Sequence, residues 1–220
     1  MKIEQLGEFG LIERIRAALP SRGTGVIVGI GDDVAVLESS PDSVWLATCD
    51  VQVEGAHFLR DAIPPRSLGR KALAINLSDI ASAGGTPRYA LVSLGLPGGL
   101  EAGFIDELYA GFREEGSEFG VDIVGGNISR SRLGIFIDVF LLGETVRENV
   151  VLRSGAAAGD RIMLTGSVGD AAAGVALLLD PGLTAGAAYT VTARERRDRP
   201  TPRVREGALI GSPSQAAGRR

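Results

Sequence analysis

The first patterned stretch is a set of short apolar runs, Val26–Ile30, Val34–Leu37 and Val44–Thr48, each bounded by Gly, Asp, Ser or Pro. Runs of this length with such boundaries predict strands. The period then changes. Between Arg66 and Ala83 the apolar residues Leu68, Ala72, Ile75, Ile80 and Ala83 recur near helical spacing, and Gly84-Gly85 followed by Pro87 ends the segment. A strand is predicted at Tyr89–Leu96. A second helix is predicted over Leu100–Phe119, with Phe104, Ile105, Leu108, Phe112 and Phe119 inward and Glu101, Asp106, Glu107, Glu114 and Glu115 outward.

Strands at Val121–Val124 and Gly134–Leu142 follow. After a polar Arg147-Glu148-Asn149 segment and an Ala/Gly-rich stretch, the pattern predicts a strand at Arg161–Thr165 and a helix from Asp170 to Leu179. Strands and helices that alternate around glycine corners indicate an α/β (α+β) fold. A domain boundary is expected near 145–155. From Arg194 the text changes to six arginines by Arg205, with Pro200 and Pro202 and then a Gly/Ser/Ala-rich end, so an unpacked tail is expected.

Composition narrows the class. The chain has 220 residues, 45% hydrophobic and 23% charged, as a folded globular protein does. No apolar run approaches the ~20 residues of a membrane-spanning helix, and Asp138 interrupts Gly134–Leu142. The opening Met1-Lys2-Ile3-Glu4-Gln5 is unlike a signal peptide, so a cytoplasmic protein without membrane attachment is expected. Cys49 is the only cysteine, which excludes intrachain disulfides and multi-cysteine zinc sites. A net charge of -4 argues against nucleic acid as a partner. An anionic substrate would need metal ions or backbone amides to approach.

Four segments carry candidate chemistry. In Gly29-Ile30-Gly31-Asp32-Asp33 a strand ends in two carboxylates; on an extended chain they would face opposite ways, and a plain turn explains the residues equally well. No third glycine follows to make a dinucleotide fingerprint, and no Gly-Lys-Ser/Thr makes a P-loop. Thr48-Cys49-Asp50 delivers a carboxylate at a strand end, ahead of the sole histidine, His57, for which a structural role is the alternative. Asn76 and Asp79, three apart on a helix, lie near its apolar stripe; a buried carboxylate there needs an ion or a partner such as Lys71 or Arg70. Scattered aspartates (Asp32, Asp33, Asp50, Asp79) suit Mg²⁺, which prefers oxygen ligands and keeps waters, better than zinc or copper.

Gly125-Gly126-Asn127 and Arg130 could contact phosphate or form a simple turn. Arg153 is a second phosphate candidate. At Gly169-Asp170 a helix begins, with Asp170 expected to cap it.

In order and spacing these segments resemble the thiamine-monophosphate kinases, relatives of aminoimidazole ribonucleotide (AIR) synthetase, selenide water dikinase and a hydrogenase-maturation protein. The resemblance covers roughly residues 5 to 180 and rests on Glu8-Phe9-Gly10-Leu11-Ile12, Gly31-Asp32-Asp33, the run Thr48 to Phe58, the run Lys71 to Ala81, Gly125-Gly126-Asn127 and Leu152-Arg153-Ser154-Gly155-Ala156. It implies an AIR synthetase-like N-terminal domain at 1–147 with a mixed sheet and flanking helices, the start of a second α/β domain at 148–193, and a disordered or aberrant tail at 194–220. It implies Mg²⁺- and ATP-dependent phosphorylation of thiamine monophosphate to the diphosphate by a homodimer, without a covalent enzyme intermediate. Asp33, Thr48, Cys49 (through its carbonyl), Asp50, Asp79 and Asn127 would be metal ligands, His57 would meet the substrate, and Gly126, Asn127 and Arg153 would meet ATP.

The chain departs from that pattern in two places. Asn127 stands where many relatives carry Asp, which removes a charge from a metal ligand. The family's later Asp-x-Ser-Asp-Gly-Leu and Gly-Gly-Asp segments do not occur, so most of the second domain is expected to be missing. A non-catalytic dimerising or nucleotide-binding module, and a sister enzyme with another substrate, are the alternatives to the kinase.

Overall fold

A computed structural model describes residues 2–19 and 23–212. The chain opens with α1 (Ile3–Ala18), broken at Gly7 by a left-handed φ of 65° and without a buried residue. Strands β1 (Val26–Val28), β2 (Ala35–Glu38) and β3 (Ser43–Val53) follow, then α2 (Pro65–Ser82), β4 (Thr86–Leu96), α3 (Ala102–Phe119), β5 (Asp122–Arg130) and β6 (Phe136–Val146). Beyond them lie α4 (Asp170–Leu179), α5 (Ala187–Asp198) and α6 (Val204–Gly211).

The strands form one mixed sheet in the order β1-β2-β3-β6-β4-β5. All pairs are antiparallel except β4–β5. That parallel pair needs a crossover, which α3 provides. Helices α2 and α3 cover one face, packing Leu68, Leu73, Leu77 and Ile80 of α2 with Leu108 and Phe112 of α3 onto Leu46, Val92, Ile137, Val139 and Leu141. Each such side chain gains about 1.5–3 kcal/mol by leaving water. The opposite face carries Tyr89, Leu91, Phe136 and Phe140, each still exposed by 38–44%.

Two expectations are corrected after residue 150. Arg161–Thr165 is not a strand, and Ile162, Met163 and Leu164 are largely exposed; the segment pairs with no strand of the sheet, and an isolated strand is not stable. Residues 194–212 are not an unpacked tail. Ala193 and Asp198 of α5 are buried, and Val204 of α6 joins the core, against which Val150 and Leu152 also pack. The α6 helix lies on α2 so closely that a Cβ on Gly207 would meet the Ala81 carbonyl oxygen at 2.1 Å. Pro200 and Pro202 occupy the link between α5 and α6. Residues 213–220 of the expected tail lie outside the described residues.

Candidate phosphoryl-transfer site

The site is built where β3 passes under the C-terminal half of α2. Strand β3 buries Val44, Leu46 and Thr48 on its inner side, and Asp50 continues that side to where the helix cover thins. Two latches fix the register between strand and helix. The Asp50 amide donates to Asn76 Oδ1 at 3.0 Å, and Thr48 Oγ1 donates to Asp79 Oδ2 at 2.7 Å. Asn76 is fully buried, and its Nδ2 donates in turn to the Ala72 carbonyl at 3.1 Å. The side-chain amide thus satisfies a backbone group of each element, and the Asp50 carboxylate is left without a hydrogen-bond partner among the described residues.

The Gly31-Asp32-Asp33 turn completes the cluster from the other side. The two aspartates do not diverge as an extended chain would require, because residues 31–33 turn, with Gly31 at φ 124°. Both engage Arg153, whose amide donates to Asp32 Oδ2 at 3.2 Å and whose Nε donates to Asp33 Oδ1 at 2.9 Å, with Nη2 also on that oxygen. Ser82 Oγ lies 3.1 Å from Asp33 Oδ2 and 2.8 Å from the Asp79 carbonyl oxygen. Asp32 therefore organises the loop while Asp33 faces the cluster.

Electrostatics mark the place. Burial first, then the charges of Asp50 and Asp33, push the Asp79 carboxyl up to about 6, against the Thr48 hydroxyl and Arg153. Asp50 is also raised, by burial and by Asp138 and Asp33, with His57 opposing. These carboxylates are short of positive charge, and among the described residues Arg153 is the one cation bonded to the group. A hard cation with oxygen ligands relieves that shortage. Among the described residues no three His, Cys, Asp or Glu side chains stand close enough to hold one ion by themselves. This suits Mg²⁺, which is held by one or two carboxylates, water and substrate phosphates.

The remaining predicted residues lie around this cluster or apart from it. His57 sits in the turn after β3, its Nδ1 accepting from the Val53 amide at 3.1 Å. Cys49 points to the other sheet face and donates to Asp138 Oδ1 at 3.0 Å. Asp138 had no signal in the sequence beyond interrupting an apolar strand; it reaches Cys49 only through the β3–β6 register, which pairs Val51 with Asp138. Gly126 and Asn127 are not brought to the aspartates. They continue β5, three strand spacings or about 14 Å from β3, and a Cβ on Gly126 would strike the Val92 carbonyl oxygen at 1.8 Å. Asp170 does not cap α4: Gly169 is the N-cap, at φ 103°, and the Asp170 carboxylate accepts from Ser167 Oγ and from Tyr189 OH.

Among the described residues no helix is long and apolar enough to cross a membrane. The chain is similar to the thiamine-monophosphate kinase of Aquifex aeolicus, 44% identical over 179 residues that make up 81% of this chain and 55% of that protein. It is similar to the Bacillus subtilis thiamine-monophosphate kinase at 34% identity over 213 residues, 96% of this chain and 65% of that protein. Among solved structures it superposes on one described as AaThiL complexed with AMPPCP and TMP, with a TM-score of 0.84 and 39% identity, covering 96% of this chain and 65% of the other. The chain thus spans 55–65% of the length of the relatives it matches. Residues 31–145, which hold β2 to β5, all of β6 but its last residue, and every carboxylate of the cluster, match the family model of AIR synthase related proteins, N-terminal domain, and the chain belongs to that family.

Proposed function

We propose that this chain carries the N-terminal half-site of a Mg²⁺- and ATP-dependent kinase that phosphorylates thiamine monophosphate to thiamine diphosphate in the cytoplasm. The observation that carries the reading is the convergence of Asp33, Asp50 and Asp79, with carboxyl groups raised at Asp50 and Asp79, beside the arginine of a neighbouring loop. Phosphoryl transfer needs in-line placement of two phosphates and neutralisation of their charge, and little covalent help from the protein. Bound Mg²⁺ ions would supply that neutralisation, each held by one or two of Asp33, Asp50 and Asp79 together with water and phosphate oxygens. Thr48 and Asn76 hold two of these carboxylates in register. Arg153 is free to exchange Asp33 for a phosphate, since both are anions that a guanidinium binds through paired N–H groups. His57 stands at the acceptor side. The kinase names of the relatives and the nucleotide analogue named for the superposed structure support the same reading.

The division of the chain near residue 147 and a homodimer belong to the reading as well. The sheet face carrying Tyr89, Leu91, Phe136 and Phe140 is apolar, and a second copy could cover it. In such a dimer Gly126 and Asn127, which within one chain stand apart from the cluster, would contact the nucleotide.

The test is to incubate the protein with ATP, Mg²⁺ and thiamine monophosphate and to look for thiamine diphosphate. Product that disappears on Mg²⁺ chelation and in Asp50→Ala is expected. Turnover that survives Asp50→Ala would overturn the assignment of the cluster.

A further inference from the structure

Beside the Gly31-Asp32-Asp33 turn runs a cleft of about 640 Å³, within the roughly 300–1,000 Å³ of small-molecule sites. Its floor is the end of β1 and the turn, from Ile27 to Asp32. One wall is the loop bearing Leu152 and Arg153, and the other is the last turn of α1, with Arg16 and Leu19.

Packing does not account for α1 lying there. None of its residues is buried, it is broken at Gly7, and Ile3, Phe9, Ile15 and Leu19 stay exposed. A helix in a protein owes its stability chiefly to an apolar face packed on the body, and α1 has no such face covered. It meets the site through Arg16, whose Nη1 is 3.9 Å from the position a Cβ on Gly31 would take.

Arg16 is nevertheless not spent on the site. It stands over a turn with two carboxylates and bonds neither of them. Among the described residues its side chain bonds only Glu13, at 3.3 Å, with the two side chains 61% and 67% exposed. Such a surface pair is a weak competitor for a guanidinium. The aspartates are engaged by Arg153 instead, Asp32 through its amide and Asp33 through its guanidinium. The last turn of a helix favours a cation, which accounts for a positive charge at position 16 and not for its place over Gly31. The charged residues lining the cleft are thus Arg16, Arg153 and Asp32, two cations against one anion.

We infer that Arg16 and Arg153 are the two jaws of a polyphosphate clamp, and that α1 is a strap which closes on the anion through Arg16. Each guanidinium offers paired N–H groups to phosphate oxygens. Leu19, Ile30 and Leu152 rim the same cleft and shield the contact from water, which strengthens it. Arg16 acts by binding alone, since no bond forms or breaks at it. The clamp rests on the kinase reading for the identity of the anion as a nucleotide; the unspent guanidinium over the turn is independent of that reading.

Titration calorimetry of the full chain with Mg²⁺ and β,γ-methylene-ATP, together with hydrogen exchange of the α1 amides, tests it. Arg16→Met should weaken binding by about tenfold or more, and Arg16→Lys, which keeps the charge without the fork, should recover part of the loss. Arg14→Met removes the same charge from the same helix at an exposed position outside the cleft and should bind as the wild type does. In the wild type the analogue should slow exchange along α1, and in Arg16→Met it should not. Equal affinity of wild type and Arg16→Met, or equal losses in Arg14→Met and Arg16→Met, overturns the clamp, while thiamine diphosphate formed by the wild type leaves the kinase reading standing. Exchange along α1 that ignores the analogue in the wild type overturns the strap. If the wild type does not bind the analogue, the kinase reading fails for this chain and inorganic tripolyphosphate decides the clamp. Tripolyphosphate binding that Arg16→Met weakens by about tenfold sustains it, and no binding or equal binding rejects it. Arg16 is exposed, so the variants should melt where the wild type does.

Discussion

Arg153 holds two adjacent aspartates at once, its backbone on Asp32 and its guanidinium on Asp33. If the guanidinium trades Asp33 for a nucleotide phosphate, Arg153→Met removes one charge-assisted bidentate contact, worth about 1.5–3 kcal/mol. The KM for ATP should rise at least tenfold with the KM for thiamine monophosphate little changed; steady-state kinetics at saturating acceptor checks this, and an unmoved ATP KM argues for a purely structural arginine. Cys49 makes a second case. Burial, the hydrogen bond to Asp138 and the charges of Asp138 and Asp50 push its thiol up to about 11. At pH 8 the thiolate should be roughly a hundredfold scarcer than for an ordinary cysteine. Alkylation followed by mass spectrometry should be correspondingly slow, should accelerate as pH rises toward 11, and should speed up in Asp138→Asn. At this scale the sequence showed which carboxylates matter, because Asp50 directly follows an apolar run, although β3 continues past it to Val53, and Asp79 lies on a half-buried helix face. It could not show their partners. Thr48–Asp79 and Asp50–Asn76 join residues 31 and 26 positions apart, and such pairs depend on the register of β3 under α2.

The α2–α3 pair shows why some elements were legible and others were not. A Cβ on Gly69 would meet the Leu108 carbonyl oxygen at 2.0 Å, and one on Gly111 would meet that of Arg66 at 2.0 Å. The two glycines let the helices cross in contact, and Arg70 clamps the crossing with its bond to Glu115, 2.7 Å long and buried at the acid. Gly111→Ala should force the helices apart and destabilise the chain by about 1–3 kcal/mol, read as a lower denaturant midpoint; an unchanged midpoint would mean that the crossing relaxes freely. Both helices were visible beforehand because each has one apolar stripe against one sheet face. Helix α1 buries nothing and is broken at Gly7, so it lacks that stripe. Helix α5 hides behind its arginines, of which Arg197 turns inward onto Asp198 and the carbonyls of Gly174 and Ala62. The predicted strand at 161–165 shows the converse: it has the apolar residues of a strand and pairs with none among the described residues.

Among the described residues the helices cover one face of the sheet only. Strand β6 runs Phe136-Ile137-Asp138-Val139-Phe140-Leu141-Leu142, with only Asp138 polar, as strands buried on both faces do. Ile137, Val139 and Leu141 are buried under α2 and α3, while Phe136 and Phe140 remain 38–39% exposed on the other face. The register sets Phe140 between Cys49 of β3 and Leu91 of β4, so the exposed apolar side chains form one band across three strands. An apolar band of this kind on an isolated chain marks an interaction surface, and a second copy presenting the same band would bury it around a two-fold axis. Charges placed in its middle should then separate the copies without touching the helix-covered core. Leu91→Asp combined with Phe140→Asp is expected to convert a dimer to a monomer at micromolar concentration in sedimentation velocity. The monomer should keep its helical circular dichroism, because both side chains lie on the face that α2 and α3 do not cover. A wild type that sediments as a monomer at that concentration rules out the two-fold pairing and leaves the band to a different partner.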